Sequence, residues 1–190
     1  MELQRTGESR NIPFRSNRYF CINGTWFFMT REGKQMGPFI DKREAEAEKA
    51  LHTALETGRI ELQFQSIYSV VEGRFVFAEA MLALRTDEGK TIPQSELLRV
   101  AERSGLAQRL GLMIIDSVCA CYFARGLEAK GIRQIQIRLS GAQCRQSDLS
   151  EQVIAVIEAW SFDPQHICFQ ITETAAVHSP VIMTSNMKTL

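Results

Sequence analysis

An α/β fold, with strands and helices alternating behind a small antiparallel meander, is the class this sequence predicts, and three observations predict it. Runs of strand length and β-rich composition at 60–70, 74–84, 134–139 and 167–171 are separated by longer stretches of helical periodicity. Strands that alternate with helices in this way point to βα units. Ahead of them, Asn23-Gly24 sits between two aromatic-rich runs, which is the strongest short-range signal for a hairpin. Finally, 190 residues with 45% hydrophobic content supply one main core.

Taken in chain order, 1–17 is a polar, disordered segment rich in Arg, Asn and Ser, without the apolar stretch of a secretory leader. A meander module follows over 18–45. Strands at 18–22 and 25–31 flank the Asn-Gly turn, Glu32-Gly33-Lys34 makes a second turn, and Gly37-Pro38-Phe39-Ile40 is a short third strand. Trp26 and Phe28 project from one face, Phe27 and Met29 from the other, so both faces need cover. Trp26 and Phe28 have two readings, as core aromatics of a mini-sheet or as a partner-docking face. The pattern from Trp26 to Phe39 is similar to small bacterial modules of unknown function.

A helix then begins at Asp41 with Glu44 in capping-box spacing, carries Ala50, Leu51, Ala54 and Leu55 as its stripe, and stops at Gly58. Strands at 60–70 and 74–84 are joined by the turn Glu72-Gly73. Helices are expected at 95–103, 106–130, 148–160 with Glu151 at the capping-box position, and 181–190, with strands at 134–139 and 167–171 between them.

Composition removes several function classes. Acidic and basic side chains number 22 each, so net charge offers no footprint for nucleic acid or an anionic membrane. The most apolar stretch, 106–124, is interrupted by Gln108, Arg109 and Asp116, which predicts a core helix, not a span, and a cytoplasmic address. Five cysteines show no CxxC pair and are expected as buried, inert thiols. His52, His166 and His178 lack a carboxylate or cysteine at catalytic spacing and are expected at the surface or its boundary.

Five motifs carry chemistry. Glu79-Ala80-Met81, the strand at 135–140 and Phe169-Gln170-Ile171-Thr172-Glu173 fall at strand ends in βα order, where an α/β barrel places its functional groups. Phe64-Gln65-Ser66-Ile67 precedes the first, and Ala101-Glu102-Arg103-Ser104-Gly105-Leu106 lies between. Together these resemble the EAL family, bacterial phosphodiesterases that linearise cyclic di-GMP, over 46–190. The resemblance implies a partial (β/α) barrel of the EAL type whose first strand runs antiparallel to the others.

Departures from the family pattern matter equally. Its members hold Mg²⁺ or Mn²⁺ with the Glu at 79, an Asn at 138, a Glu at 170 and a later Asp pair; here the positions hold Arg138 and Gln170, with Glu173 close behind. Arginine has five donors and no acceptor, so it repels a cation and cannot ligate one. No metal or other cofactor is therefore expected. The family's later strand, lysine and general base would lie beyond Leu190, so a degenerate, carboxyl-terminally truncated member is expected. Gln65 keeps the place of a guanine contact. The phosphate-clamping arginine is replaced by Ala83, leaving Arg85 two residues on, on the same strand face, as a shifted donor.

The resulting expectation is a catalytically inactive EAL-like regulator working by protein contact, with weak or no cyclic di-GMP binding. The alternatives are a non-hydrolysing cyclic di-GMP receptor and an active phosphodiesterase. About four barrel strands would leave open edges and one bare apolar face, and a second copy, the meander or another protein would cover it. At the strand ends Arg138 is expected either to pair with Glu79, helped by Gln170, or to point into solvent.

Overall fold

The computed structural model describes residues 19–30, 32–171 and 180–190. Contacts divide the chain into two units, Met1–Ala45 and Glu46–Leu190.

In the first unit, β1 (Tyr19–Ile22), β2 (Thr25–Met29) and β3 (Gln35–Phe39) form an antiparallel meander. Asn23 and Gly24 both take positive φ, 51° and 78°, the pair of values a two-residue primed turn needs to match the strand twist. Phe28 is buried, stacked on Phe39 at 5.6 Å and edge-on to Tyr19 at 6.2 Å, and Ala45 completes that core. On the opposite face Phe20 and Phe27 stack at 5.6 Å. Gly37 lies under Phe27, where a Cβ would fall 2.6 Å from the ring.

The helix α1 (Lys42–Thr57) starts where the sequence predicts. Asp41 Oδ1 accepts the Glu44 N–H at 2.8 Å, and Glu44 Oε2 accepts the Ile40 N–H at 2.9 Å, so two otherwise orphaned donors are satisfied. Its stripe of Ala47, Leu51 and Ala54 belongs to the core of the second unit, with Ala50 only half-buried.

That unit is built on β4 (Glu61–Ser69), β5 (Arg74–Arg85), β7 (Gln134–Arg138) and β8 (Ile167–Gln170) in that spatial order, with the short β6 (Thr91–Ile92) paired to β5. β4 is antiparallel to β5, while β5, β7 and β8 are mutually parallel. Helices α2 (Gln94–Arg103) and α3 (Ala107–Arg125) connect β6 to β7. The short α4 (Gly141–Cys144) and α5 (Leu149–Ala159) connect β7 to β8, and α6 (Pro180–Thr189) follows. α3 is shorter than the periodicity predicts because Gly126, at φ 55°, caps it in the left-handed conformation. Asp148 does not cap α5; its carboxylate accepts from Gln108 and Gln152 side chains instead.

One face of the sheet is dry. Ala80 and Leu82 of β5, with Ile135 and Ile137 of β7, are buried with Leu97 of α2, Leu110, Ile115 and Val118 of α3, and Val153 of α5. Burying a side chain of that size contributes about 1.5–3 kcal/mol. By length and composition α3 could cross a membrane, but it is a core helix, with Leu110, Ile114, Ile115, Val118 and Cys119 buried. α6 is pinned through buried Asn186, whose Nδ2 donates to the carbonyls of Cys144 at 3.2 Å and Gln146 at 2.8 Å.

The second face is not the bare apolar surface anticipated from the sequence. Strict alternation puts Gln63, Gln65, Glu79, Gln134, Gln136, Arg138 and Gln170 on it, among half-buried Phe77 and Met81, and none of these polar groups is fully buried. A largely polar face tolerates water, so this face by itself calls for no cover, while the edges at β4 and β8 stay open among the described residues.

Two smaller expectations also change. All five cysteines are free, but Cys21 is exposed, and only Cys119 and Cys144 are buried. Burial and the nearby Asp116 push the Cys119 thiol up from 9.0 to about 11, and burial raises Cys144 too. His52 does meet a carboxylate, buried Glu48 one turn earlier, at 3.1 Å. His166 donates from Nδ1 to the Arg133 carbonyl at 2.7 Å and packs on Tyr122. His178 lies outside the described residues.

Candidate functional site

Register decides which side chains meet at the strand ends. Gln65 is opposite Glu79 across the antiparallel pair, Glu79 is beside Gln136, and Gln136 is beside Cys168. One row of four strands therefore reads Gln65, Glu79, Gln136, Cys168. One pleat further toward the carboxyl ends of the parallel strands, Arg138 stands beside Gln170.

Arg138 reaches back across this lattice. Its Nη2 donates to Glu79 Oε1 at 2.8 Å, with 18% of the Glu79 side chain exposed and 45% of Arg138. That is charge-assisted hydrogen-bond distance. Gln170 does not join the pair as expected. Its Nε2 donates to Gln136 Oε1 instead.

The strand that carries Arg138 is held firmly. Leu139 N–H donates to the Gln170 carbonyl at 2.9 Å, which ties β7 to the end of β8. Ser140 and Gln143 then form a full capping box at the start of α4. Gln143 is buried against Gly111 of α3, where any Cβ would fall 1.6 Å from its amide nitrogen. Glu102, from the Ala101–Leu106 motif, accepts the Ala142 N–H at 3.4 Å. These residues position the turn after β7, and sequence reasoning gave them no role, although Ser140 with Gln143 three residues later is a legible capping signal.

The other predicted positions divide. Arg85 lies on the Glu79 face of β5, but six residues along a strand is about 20 Å. Its guanidinium donates to Thr91 Oγ1 at 3.2 Å and the Gly89 carbonyl at 3.4 Å, and pairs with Glu61 at 3.5 Å, so its contacts belong to the β5–β6 turn. Ala83, at the clamp position, is buried. Phe28 is core and not surface, which removes it from any docking face; Trp26 is half-buried beside that core. Glu173 lies outside the described residues.

A divalent ion does not fit the described donors. Mg²⁺ and Mn²⁺ want several hard oxygens, usually with more than one carboxylate. Here one carboxylate is already bonded to a guanidinium, the amide nitrogen of Gln170 is turned to Gln136, and Arg138 offers no acceptor. Two unit charges at 4 Å interact by about 4 kcal/mol at an effective dielectric of about 20, so a divalent ion beside Arg138 would face about twice that repulsion. Among the described residues no group of three or more His, Cys, Asp or Glu side chains is arranged to hold a metal.

The strand order and the antiparallel first strand define a partial (β/α) barrel. The chain belongs to the EAL domain family, whose model matches residues 48–190, and residues 4–53 match a domain of unknown function, DUF6316. It is 31% identical over 143 residues to the signaling protein YkoW of Bacillus subtilis, covering 73% of this chain and 18% of that protein. It is 24% identical over 127 residues to the bifunctional diguanylate cyclase/cyclic di-GMP phosphodiesterase MucR of Pseudomonas aeruginosa, covering 67% and 18%. The chain thus spans about a fifth of the length of these curated relatives. Among solved structures, the PaMucR phosphodiesterase in complex with c-di-GMP superposes with a TM-score of 0.65 at 22% identity, covering 75% of this chain and 60% of that one. The FimX EAL domain from Pseudomonas aeruginosa bound to c-di-GMP gives 0.55 at 25% identity, covering 76% and 54%.

Proposed function

We propose that this chain is a non-hydrolysing EAL-family regulator of cyclic di-GMP-related signalling in the cytoplasm, acting by contact with another protein or a second copy of itself. The observation that carries the reading is the Glu79–Arg138 pair at 2.8 Å: the carboxylate that would face a metal faces a permanent cation of the protein. Metal-assisted hydrolysis needs a Lewis acid or an activated water, and the described strand ends offer no donor set for either.

Protein contact is supported by surface elsewhere on the second unit. An apolar groove of about 450 Å³, lined in part by Ile154, Ile157, Phe162, Ile167, Phe169 and Leu190, runs beside the β8 edge. At the opposite edge, the β4–β5 hairpin leaves Tyr68, Val70, Val71 and Phe75 more than half exposed. Apolar groups gathered at sheet edges are where partners dock.

A second reading, a cyclic di-GMP receptor without turnover, is favoured by Gln65, which stays exposed in the row with Glu79. Two of the similar solved structures are described as c-di-GMP complexes. Against it stand the buried Ala83 and the remote contacts of Arg85.

The test is incubation of the full 190-residue chain with cyclic di-GMP and Mg²⁺ or Mn²⁺, followed by calorimetric titration with the same nucleotide. No linear dinucleotide above a no-protein control is expected, and product formation dependent on metal ends the proposal. Saturable binding without product selects the receptor reading.

A further inference from the structure

The large sheet has two open edges among the described residues, β4 on one side and β8 on the other. Both leave apolar area unfinished. On the helix side, Ala80 and Leu82 of β5 and Ile135 and Ile137 of β7 are buried, whereas Leu62 and Phe64 of β4 and Phe169 of β8 are only half-buried. Beside β8 that shortfall widens into the apolar groove of about 450 Å³, whose walls include Phe162, Ile167 and Phe169. A strand laid along β8 must therefore be apolar toward the groove and polar on the other face, where Cys168 and Gln170 stand. β4 has that pattern. Leu62 and Phe64 lie opposite Leu82 and Ala80 on the helix side, while Gln63 and Gln65 lie on the polar side, yet β5 and β7 separate β4 from β8 within one chain.

We infer that the β8 edge takes β4 of a second copy of this chain, so that two second units close into one eight-stranded barrel about a two-fold axis along its centre. Strand count and strand direction agree with this. Each copy supplies four strands in the order β4-β5-β7-β8, and eight is the number that closes around an interior filled by side chains. A two-fold axis along the barrel preserves strand direction, so a partner's β4, which opposes β5, β7 and β8 in sense, meets β8 as an antiparallel neighbour. Both edges of both copies are then used, which stops association at the dimer. The face turned inward carries groups already bonded among themselves, Glu79 with Arg138 and Gln136 with Gln170. The inference rests on the reading of this chain as one that works by contact and selects a second copy as the contact. It is tested without nucleotide or metal, so its failure and the failure of the non-hydrolysing reading are separate results.

The experiment joins sedimentation of the full chain to site-directed crosslinking. Between about 1 and about 100 μM, the range that brackets a micromolar Kd, the chain should pass to a dimer and to nothing larger. Phe169→Lys, which sets a charge in the groove, should weaken that dimer at least about tenfold while the far-ultraviolet circular dichroism stays the same. Crosslinking needs no change to the packed layer, so it decides the matter where Phe169→Lys does not fold. In a background of Cys21→Ser and Cys121→Ser, one copy keeps Cys168, and the other carries Cys168→Ser with Gln63→Cys or Gln65→Cys. A short bismaleimide should join the two copies through at least one of these β4 positions, and Lys130→Cys in their place should give no product above background. A monomer throughout the concentration range overturns the inference, as does growth beyond the dimer. So does a folded Phe169→Lys chain that dimerises as tightly as the unaltered one, a β4 cysteine that never reaches Cys168, or equal linking between two copies that both lack Cys168.

Discussion

The two faces of the large sheet come from the same strands and obey opposite rules. In β7, Ile135 and Ile137 are buried against helices, while Gln134, Gln136 and Arg138, in alternation with them, are half-buried or exposed on the other side. Stability therefore sits on the helix side, where apolar area leaves water. The other side is free to hold polar groups in register at modest energetic cost. A strand-end site can consequently change chemistry, as when a guanidinium occupies the place of a cation, without disturbing the fold that positions it.

Substitutions at successive residues of one strand give the sharpest test of that contrast. Ile137→Ala is expected to cost the most, about 2–5 kcal/mol by chemical denaturation, because it removes a fully buried side chain from a packed layer. A loss below that of its neighbour Gln136→Ala would break the comparison. On the same helix side, Asn186→Ala strips the carbonyls of Cys144 and Gln146, the first of them buried, of their donor and should cost about 1–3 kcal/mol. Hydrogen exchange should then accelerate selectively along α6.

The Cys119 thiol sharpens the picture through pH. Its folded value is raised, from 9.0 to about 11, so the fold favours the neutral thiol. Its contribution to stability is complete below the ordinary thiol value and is lost as pH rises toward about 11. Melting followed between those limits should show the decline, and Cys119→Ser or Cys119→Ala should flatten it. In the native state an aromatic disulfide reagent should label exposed Cys21 well before Cys119 or Cys144.

The polar face supplies the smallest effects. Arg138→Ala should cost about 1 kcal/mol or less, since the pair is partly exposed and screened by salt. Gln136→Ala should stay near 0.5 kcal/mol, the range of changes away from the core. Denaturation curves in which Gln136→Ala matches Ile137→Ala would mean that the second face is also a packed interior.

Much of the fold was legible because local chemistry and tertiary context agree. Asn23-Gly24 must turn, and Asp41 and Glu44 must start a helix, whatever surrounds them, since each acts on its own backbone. Alternation in Gln134-Ile135-Gln136-Ile137-Arg138 already announces one dry face and one wet one, and that signal was there to correct the idea of a bare apolar surface. The motif at Gln170 located the end of β8, whereas Glu79, expected at a strand end, lies in the middle of β5.

What the sequence by itself determined, then, is the order of elements, the family and the identity of the groups at the strand ends. Tertiary structure alone decided who meets whom. Whether Arg138 pairs with Glu79 or faces solvent depends on the parallel register between β5 and β7, and that register is set by packing of Ile135 and Ile137 against distant helices. Gln170 turns to Gln136, and Phe28 into its own small core, for the same reason: a side chain's partner is chosen by neighbours far away in the chain, which no local pattern encodes.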